Sequence, residues 1–189
     1  NVTMPDKTDA AKYVDELSPA AQIIGAVNTI VNDDGRLTGY ITDGGGFVHN
    51  LKDHGVDIKG KKITVAGGGG AAPAIQVQCA LDGAREITIF NIKDAFFERT
   101  LQTAEKIRKA VPGIVVNVYD IADTAKMTEE ITSSDIFANA TIVGMKPMDD
   151  QSVVKDLSAF RPGLVVCDAV YNPAETKLLR EAKEAGCTC

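Results

Sequence analysis

A doubly wound α/β fold built on a parallel sheet, preceded by a remnant of a smaller α/β unit, is the architecture that this sequence predicts. Three observations carry that expectation. From Gly60 onward, short β-branched runs alternate with stretches of helical periodicity, which is the pattern of βαβ units. The runs are apolar nearly throughout, as strands covered on both faces must be. The first of them opens directly into consecutive glycines at 67–70.

Taken in order, the strands are expected at 62–66, 86–90, 114–118, 135–139 and 164–168. Helices are expected between them. Residues 72–81 are apolar and stop at Asp82-Gly83, and 176–185 stop at Gly186, glycine being the residue that ends a helix at least cost. Residues 94–110 place Phe97, Leu101, Ala104 and Ile107 along one face and stop at Pro112-Gly113. Ahead of Gly60 we expect a helix at 8–17 and a small hairpin, with strands 26–30 and 36–41 around the turn signal Asp33-Asp34-Gly35. Asn1-Val2-Thr3-Met4-Pro5 reads as the end of a strand entering a Pro-led turn, and Cys187-Thr188-Cys189 as the start of another strand. Both ends are therefore expected to lie within a larger fold.

Composition narrows the function. With 189 residues, 44% of them hydrophobic, the chain holds one domain or one domain plus a piece of a second. The balance of 20 Lys+Arg against 26 Asp+Glu leaves a net charge of −6. A nucleic-acid platform needs clustered cations to displace counterions from phosphates, so no such partner is expected. The longest apolar stretches, 164–167 and 136–138, are too short to cross a bilayer, and no charged-then-apolar leader precedes them. A cytoplasmic protein without a membrane partner is expected. The cysteines, Cys79, Cys167, Cys187 and Cys189, show neither a disulfide framework nor paired C-x-x-C spacing, and His49 and His54 complete no ligand set. Reduced thiols and no metal are expected.

The glycine run carries the first functional reading. Gly67, Gly69 and Ala72 fit G-x-G-x-x-[GA], with Gly68, Gly70 and Ala71 between them. The first glycine permits a tight strand-to-helix turn, and the second lets backbone N–H groups approach a pyrophosphate. The small third residue lets helix and strand pack closely. A helix N-terminus adds partial positive charge. This is the signature of a Rossmann-type dinucleotide site. At the end of the next strand the chain reads Phe90-Asn91-Ile92-Lys93-Asp94. Asp94 suits a ribose diol and would repel an added 2′-phosphate, whereas Lys93 would tolerate one. Asp94 also suits the N-cap of the following helix. NAD is the expected cofactor, with NADP as the alternative.

Several further segments occur together: Asn1 to Lys7, Gly25-Ala26-Val27-Asn28-Thr29, Gly39-Tyr40-Ile41-Thr42-Asp43-Gly44, Asn139-Ala140-Thr141-Ile142-Val143-Gly144-Met145, and Val170-Tyr171-Asn172-Pro173. In order and spacing, with the glycine loop, they resemble the shikimate/quinate dehydrogenases over essentially the whole chain, and most the branch accepting NAD as well as NADP. The resemblance implies that residues 1–45 are the C-terminal part of a substrate-binding domain and 46–189 an NAD(P)-binding Rossmann domain. It implies interconversion of shikimate and 3-dehydroshikimate, or quinate and 3-dehydroquinate, with Lys7 and Asp43 acting on a ring hydroxyl. Hydride leaves a carbinol carbon only as the hydroxyl proton is removed, so a positioned acid/base is required. Thr3 and Asn28 match positions that contact the substrate. For the cofactor, the resemblance assigns Gly68 to Ala71 to the pyrophosphate and Asn91, Ile92, Lys93 and Asp94 to the adenosine ribose. Ile142, Ala169, Val170, Tyr171 and Asn172 would line the nicotinamide side.

This sequence departs from the family pattern at three positions. Ile41 stands where Asn is usual in an Asn-Thr-Asp signature, Asp6 replaces His or Asn beside the lysine, and Ile92 removes the arginine that holds a 2′-phosphate. The family's Ser-x-Ser substrate site and C-terminal glutamine contact have no counterpart among these residues. The enzyme reading thus stands beside a rival, a non-catalytic dinucleotide-binding fragment or dehydrogenase-like sensor. A methylene-tetrahydrofolate or amino-acid dehydrogenase of the same plan is a second rival, against which Asn28-Thr29 and Thr42-Asp43 argue. A small-molecule substrate is the expected partner, and a homodimer is an open option for assembly.

Overall fold

The computed structural model describes residues 1–3, 5–94 and 97–189. The parallel sheet forms as expected, from β4 (Lys62–Ala66), β5 (Glu86–Asn91), β6 (Val115–Asp120), β7 (Ile136–Asn139) and β8 (Val165–Asp168). Its order is β6-β5-β4-β7-β8, so the chain runs outward from β4 to one edge and then reverses to the other. In such a sheet the crevice at the carboxyl ends, where the direction reverses, is where ligands bind. That place lies between β4 and β7, and the glycine loop follows β4.

Helices cover both faces. On one side α4 (Ala72–Leu81) and α5 (Phe97–Ala110) bury Ile75, Val77, Ala104 and Ile107 against Ile63, Val65, Ile87 and Ile89. On the other, α6 (Thr124–Thr132), α7 (Lys177–Glu184) and a 3₁₀ turn at Leu157–Ala159 enclose Phe90, Phe137, Ile131, Leu164 and Leu178. The helix expected at 94–110 is α5 from Phe97 onward; Ala95 and Phe96 lie outside the described residues.

A second, three-stranded sheet precedes this one, in the order β1-β3-β2, from β1 (Glu16–Leu17), β2 (Thr29–Asp33) and β3 (Arg36–Tyr40). The hairpin lies close to where the turn signal puts it, with Asp34 and Gly35 both at positive φ. The first strand is shifted, since β2 starts at Thr29 rather than at 26. The helix expected at 8–17 shortens to α1 (Lys7–Ala10). Sheet pairing overrides the local helical tendency: Leu17 pairs in parallel with Gly39, and Asp15 exchanges hydrogen bonds with Leu37 through its backbone N–H and its carboxylate. Toward the N-terminus, the Val2 N–H donates to the Asn28 carbonyl at 2.7 Å, and Met4 lies outside the described residues. At the other end Thr188 makes an isolated parallel bridge to Val165.

Two further helices, one within the small sheet's connections and one leading from it to the large sheet, are not legible from apolar periodicity. α2 (Pro19–Ile24) starts from Ser18, whose hydroxyl accepts from the Ala21 N–H, and ends at left-handed Gly25. α3 (Asp43–Asp53) contains Gly44, Gly45 and Gly46, each costing about 1 kcal/mol relative to alanine in a helix. Gly44 shows why one is needed. A Cβ there would fall on the Ala74 carbonyl oxygen of α4, so the two helices meet backbone to backbone. The same apolar core that fills the large sheet also takes in Val27, Ile41, Ala20 and Ala21 of the N-terminal unit.

At the amino ends of the large sheet sits a buried polar cluster. Lys62 Nζ donates to Glu130 at 2.7 Å and to Ser133 at 2.9 Å, and pairs with Glu86 at 3.2 Å. Thr88 and Lys126 also bond the Glu130 carboxylate. Burial works against both charges, but the partners outweigh it, so Glu130 is held below the ordinary carboxylate value and Lys62 above the ordinary lysine value.

Candidate active site and cofactor cleft

Three side chains from three different segments meet beside the α3 N-terminus. Lys7 Nζ lies 3.2 Å from Asp43 Oδ2, a contact between residues 36 apart in the chain. Asn28 Nδ2 donates to the other carboxylate oxygen, also at 3.2 Å. The Asn28 side-chain oxygen Oδ1 in turn accepts from the Thr29 hydroxyl and from the Thr42 N–H and hydroxyl. One amide therefore ties the start of β2 to the start of α3 and aims Asp43. Lys7 and Asp43 are partly exposed, at 27% and 34% of their side chains, so the pair faces solvent while its orientation is fixed from behind.

Ile41 takes no part in this arrangement. It is buried at 8% exposure within the shared core. Asp43 is aimed by Asn28 rather than by an amide two residues before it, so the departure at 41 leaves the acid–lysine contact intact. Thr3 is exposed, and its carbonyl accepts from the Asp6 N–H; it stands on the same N-terminal segment as Lys7.

The glycine loop occupies the expected place. Gly67 leaves β4 at φ +118, and a Cβ there would come within 2.6 Å of the Ala140 carbonyl oxygen. Gly68 is hemmed in by Asn91 and Thr100, which bond each other at 3.0 Å. Gly69 has nothing within 4 Å of where its Cβ would be. That is the space a ligand's approach to the backbone requires. Ala72 is fully buried, allowing α4 to close on the sheet. No side chain among the described residues caps the α4 N-terminus; the Ala72 N–H turns back to the Gly69 carbonyl at 3.0 Å and Pro73 carries no N–H, so the helix offers an anion the positive end of its dipole.

The glycine loop and Asn91 line one side of a cavity of about 900 Å³. Gly67, Gly68, Gly69, Gly70, Ala71, Asn91 and Ile92 form the end toward β5, while Ile142, Ala169, Val170, Tyr171 and Asn172 form the end beyond β7 and β8. Lys93 and Asp94 are exposed beside Ile92 but outside the lining. Tyr171, Ile142 and Ile92 expose 90%, 63% and 59% of their surface, so the cavity presents apolar groups to its opening. The pair at Lys7 and Asp43 approaches from the α4 side: Asp43 adjoins Gly44, which packs on Ala74 in the first turn after the glycine loop.

Sequence reasoning did not single out the group that supports the far wall. Asp168, the last residue of β8, accepts from Asn139 Nδ2 at 2.9 Å, from the Val170 N–H at 3.0 Å and from the Thr176 hydroxyl at 2.6 Å. Asn139 also donates to the Val143 carbonyl and accepts from Thr141. A charged residue closing an apolar strand is the signal that could have found it. Burial pushes the Asp168 carboxyl above its ordinary value, and the hydrogen bonds from Thr176, Val170 and Asn139 offset this only in part. Among the described residues no group of three or more His, Cys, Asp or Glu is placed to hold a metal, and no helix is long and apolar enough to cross a membrane.

Comparison with known proteins finds relatives along the whole chain. The family described as shikimate dehydrogenase substrate binding domain matches residues 1–30. A curated relative, shikimate dehydrogenase (NADP(+)) of Listeria monocytogenes serotype 4b (strain F2365), is 51% identical over 187 residues, covering 99% of this chain and 64% of its own. A solved structure of shikimate 5-dehydrogenase from Listeria monocytogenes in complex with shikimate and NAD superposes with a TM-score of 0.96 at 51% identity, covering 100% of this chain and 65% of that one. Quinate dehydrogenase from Corynebacterium glutamicum in complex with NAD gives a TM-score of 0.85 at 30% identity, over 99% and 64% of the two chains. The chain thus spans less than two thirds of the length of these relatives. In sequence and in fold the chain is similar to shikimate and quinate dehydrogenases along its whole length.

Proposed function

We propose that this protein is an NAD(P)-dependent oxidoreductase that interconverts shikimate and 3-dehydroshikimate, or quinate and 3-dehydroquinate. The observation that carries the proposal is the junction of Lys7, Asp43 and Asn28 one helix packing away from an open glycine loop. The relatives bearing shikimate, NAD and NADP in their names support the choice of substrate and cofactor. The division of labour is the same proposal: residues 1–45 hold substrate and 46–189 hold cofactor, with α3 carrying the chain across the boundary.

The fit to a dinucleotide rests on this chain's own features. The uncapped α4 N-terminus and the clear space at Gly69 suit a pyrophosphate. The cavity, at about 900 Å³, falls within the range of cofactor sites. Gly67 to Ala71 would hold the pyrophosphate, Asn91 to Asp94 the adenosine ribose, and Ile142 with Ala169 to Asn172 the nicotinamide half. When bound, the nicotinamide group supplies the hydride acceptor.

The protein's part is to handle the proton. Lys7 and Asp43 sit within hydrogen-bond distance of one another, so a substrate hydroxyl placed against both passes its proton to the free amine of Lys7 Nζ as the C–H bond breaks, leaving that nitrogen as the cation. The lysine charge stabilises the oxyanion that develops, and the carboxylate keeps lysine and hydroxyl aligned. Asn28, already bonded to Asp43 and Thr42, keeps the carboxylate in one rotamer. Thr3, four residues before Lys7 on the same segment, would add a hydroxyl for the substrate.

Absorbance of the reduced cofactor tests this directly, with NAD or NADP combined with shikimate or quinate. Turnover with at least one combination is expected, and NAD is expected to outperform NADP because Ile92 offers no charge to a 2′-phosphate. Cofactor binding by calorimetry without turnover under any combination would contradict the enzyme reading and leave a dinucleotide-binding module.

A further inference from the structure

The carboxylate of Asp168 stands behind the far wall of the cavity rather than in it. It touches no lysine or arginine among the ion pairs of the described residues, and its bonds run to neutral donors on β7, on the loop after β8 and at the head of α7. Thr176, one of these donors, is also the N-cap of α7, accepting from the Leu179 N–H. Asn139, another, is 1% exposed and gathers the following loop around its amide, with Thr141 bonded to its oxygen and the Val143 carbonyl to its nitrogen. Gly144, at φ +103, then presses against Thr176, where a Cβ would lie 3.3 Å from its methyl group. The two loops that form the far wall, 140–144 and 169–176, have Asp168 in common.

Resting on the dinucleotide reading above, we infer that Asp168 is a positioning residue that sets the spacing of the 140–144 and 169–172 loops and so shapes the nicotinamide half of the cleft. The chemistry supports a geometric purpose. A half-buried carboxylate without a cation is an expensive way to join neutral groups, and its raised protonation tendency shows that cost. Removing the acceptor leaves one N–H of the Asn139 amide and the hydroxyl proton of Thr176 without an acceptor and frees the Val170 N–H, so the tie between the two loops is lost. The adenosine end, built from Gly68, Asn91 and Ile92, shares none of these bonds.

Calorimetric titration of NAD and of AMP into Asp168→Ala, Asp168→Asn and the unaltered protein tests the inference. Asp168→Ala is expected to weaken NAD on the order of tenfold, the loss that follows from stranding buried donors, while AMP affinity stays within about twofold of the unaltered protein. Asp168→Asn keeps an acceptor for Asn139 and Val170 and is expected to restore most of the NAD affinity. Should Asp168→Ala not fold, Thr176→Val removes one donor and is expected to show the same split in smaller measure. Equal NAD affinity in a folded Asp168→Ala or Thr176→Val overturns the inference, and so does a parallel loss of NAD and AMP, which marks a merely structural role. Failure of the unaltered protein to bind NAD overturns the dinucleotide reading itself, and the positioning role with it.

Discussion

At the scale of single residues, the glycine loop separates demands that a motif merges. Gly67 is required by its backbone, because φ +118 is poorly accessible to other residues and the Ala140 carbonyl blocks a side chain. Gly69 is required by nothing in the protein, since its Cβ direction is empty. Gly67→Ala is therefore expected to lower the free energy of unfolding by about 1–3 kcal/mol. Gly69→Ala is expected to leave it within about 0.5 kcal/mol while weakening NAD at least several-fold. Urea denaturation and calorimetric titration of the two variants check the contrast, and equal effects on stability would remove the case that Gly69 faces a ligand. The motif was legible in the sequence because strand, glycines and helix follow one another without interruption. The Asn28 bonds were not, because they join positions 14 and 15 apart through side chains whose directions depend on the hairpin between them. Asn28→Ala is expected to lower kcat by about tenfold or more, since a misaligned acid–base group loses its advantage steeply. NAD affinity should be unaltered in that variant, and steady-state kinetics with a cofactor titration reads both.

At the scale of elements, the helices divide by how each is specified. α4, α5 and α7 announce themselves by apolar faces and glycine stops, as do the buried strands by their continuous apolar runs. α3 does not, because three glycines lower its helix propensity, of which tertiary packing needs only Gly44. This gives a test with a sign. In an isolated helix an alanine in place of glycine stabilises by about 1 kcal/mol, and Gly45→Ala and Gly46→Ala, with nothing within 4 Å, are expected to do so. Gly44→Ala is expected to destabilise by about 2 kcal/mol, because the methyl group meets the Ala74 carbonyl and overpacking outweighs propensity. Thermal denaturation of the three variants decides it, and stabilisation by all three would contradict the backbone contact between α3 and α4. α2 carried readable signals, Ser18 as N-cap, Pro19 at the first position and Gly25 at the end; apolar periodicity alone does not detect so short a helix. α6 starts from an Asp123 cap and turns a charged residue, Glu130, toward the sheet, contrary to the expectation that buried faces are apolar.

For the whole molecule, the large sheet keeps its two ends chemically apart. The carboxyl ends open into the cavity, while the amino ends are closed by the buried Lys62–Glu130–Glu86 cluster. Glu130 has its folded value below its unfolded one, so its contribution to stability is present above the ordinary carboxylate range and is lost as pH falls through the depressed value. Asp168, raised by burial, runs the other way: its contribution is greatest in acid and is lost as pH rises through the raised value. Glu130→Ala is expected to cost about 3 kcal/mol at neutral pH, because it leaves Lys62 buried with a reduced set of partners. It is also expected to flatten the acid limb of the stability profile. Urea denaturation between pH 3 and pH 7 measures both, and an unchanged acid limb would show that the cluster does not govern acid stability. None of this cluster was legible in the sequence, since Lys62 and Glu130 are 68 residues apart and meet only because β4 and β7 are neighbours.

In the function proposed above, Lys7 and Asp43 move the proton while a separate cleft holds the cofactor. Lys7→Ala tests it most directly, by following reduced-cofactor absorbance with shikimate or quinate alongside calorimetric titration of NAD. The account predicts turnover reduced by a factor of about 10²–10⁴ with NAD affinity unaltered, because the lysine belongs to the N-terminal unit and does not line the cavity. Turnover at the level of the unaltered protein would contradict it.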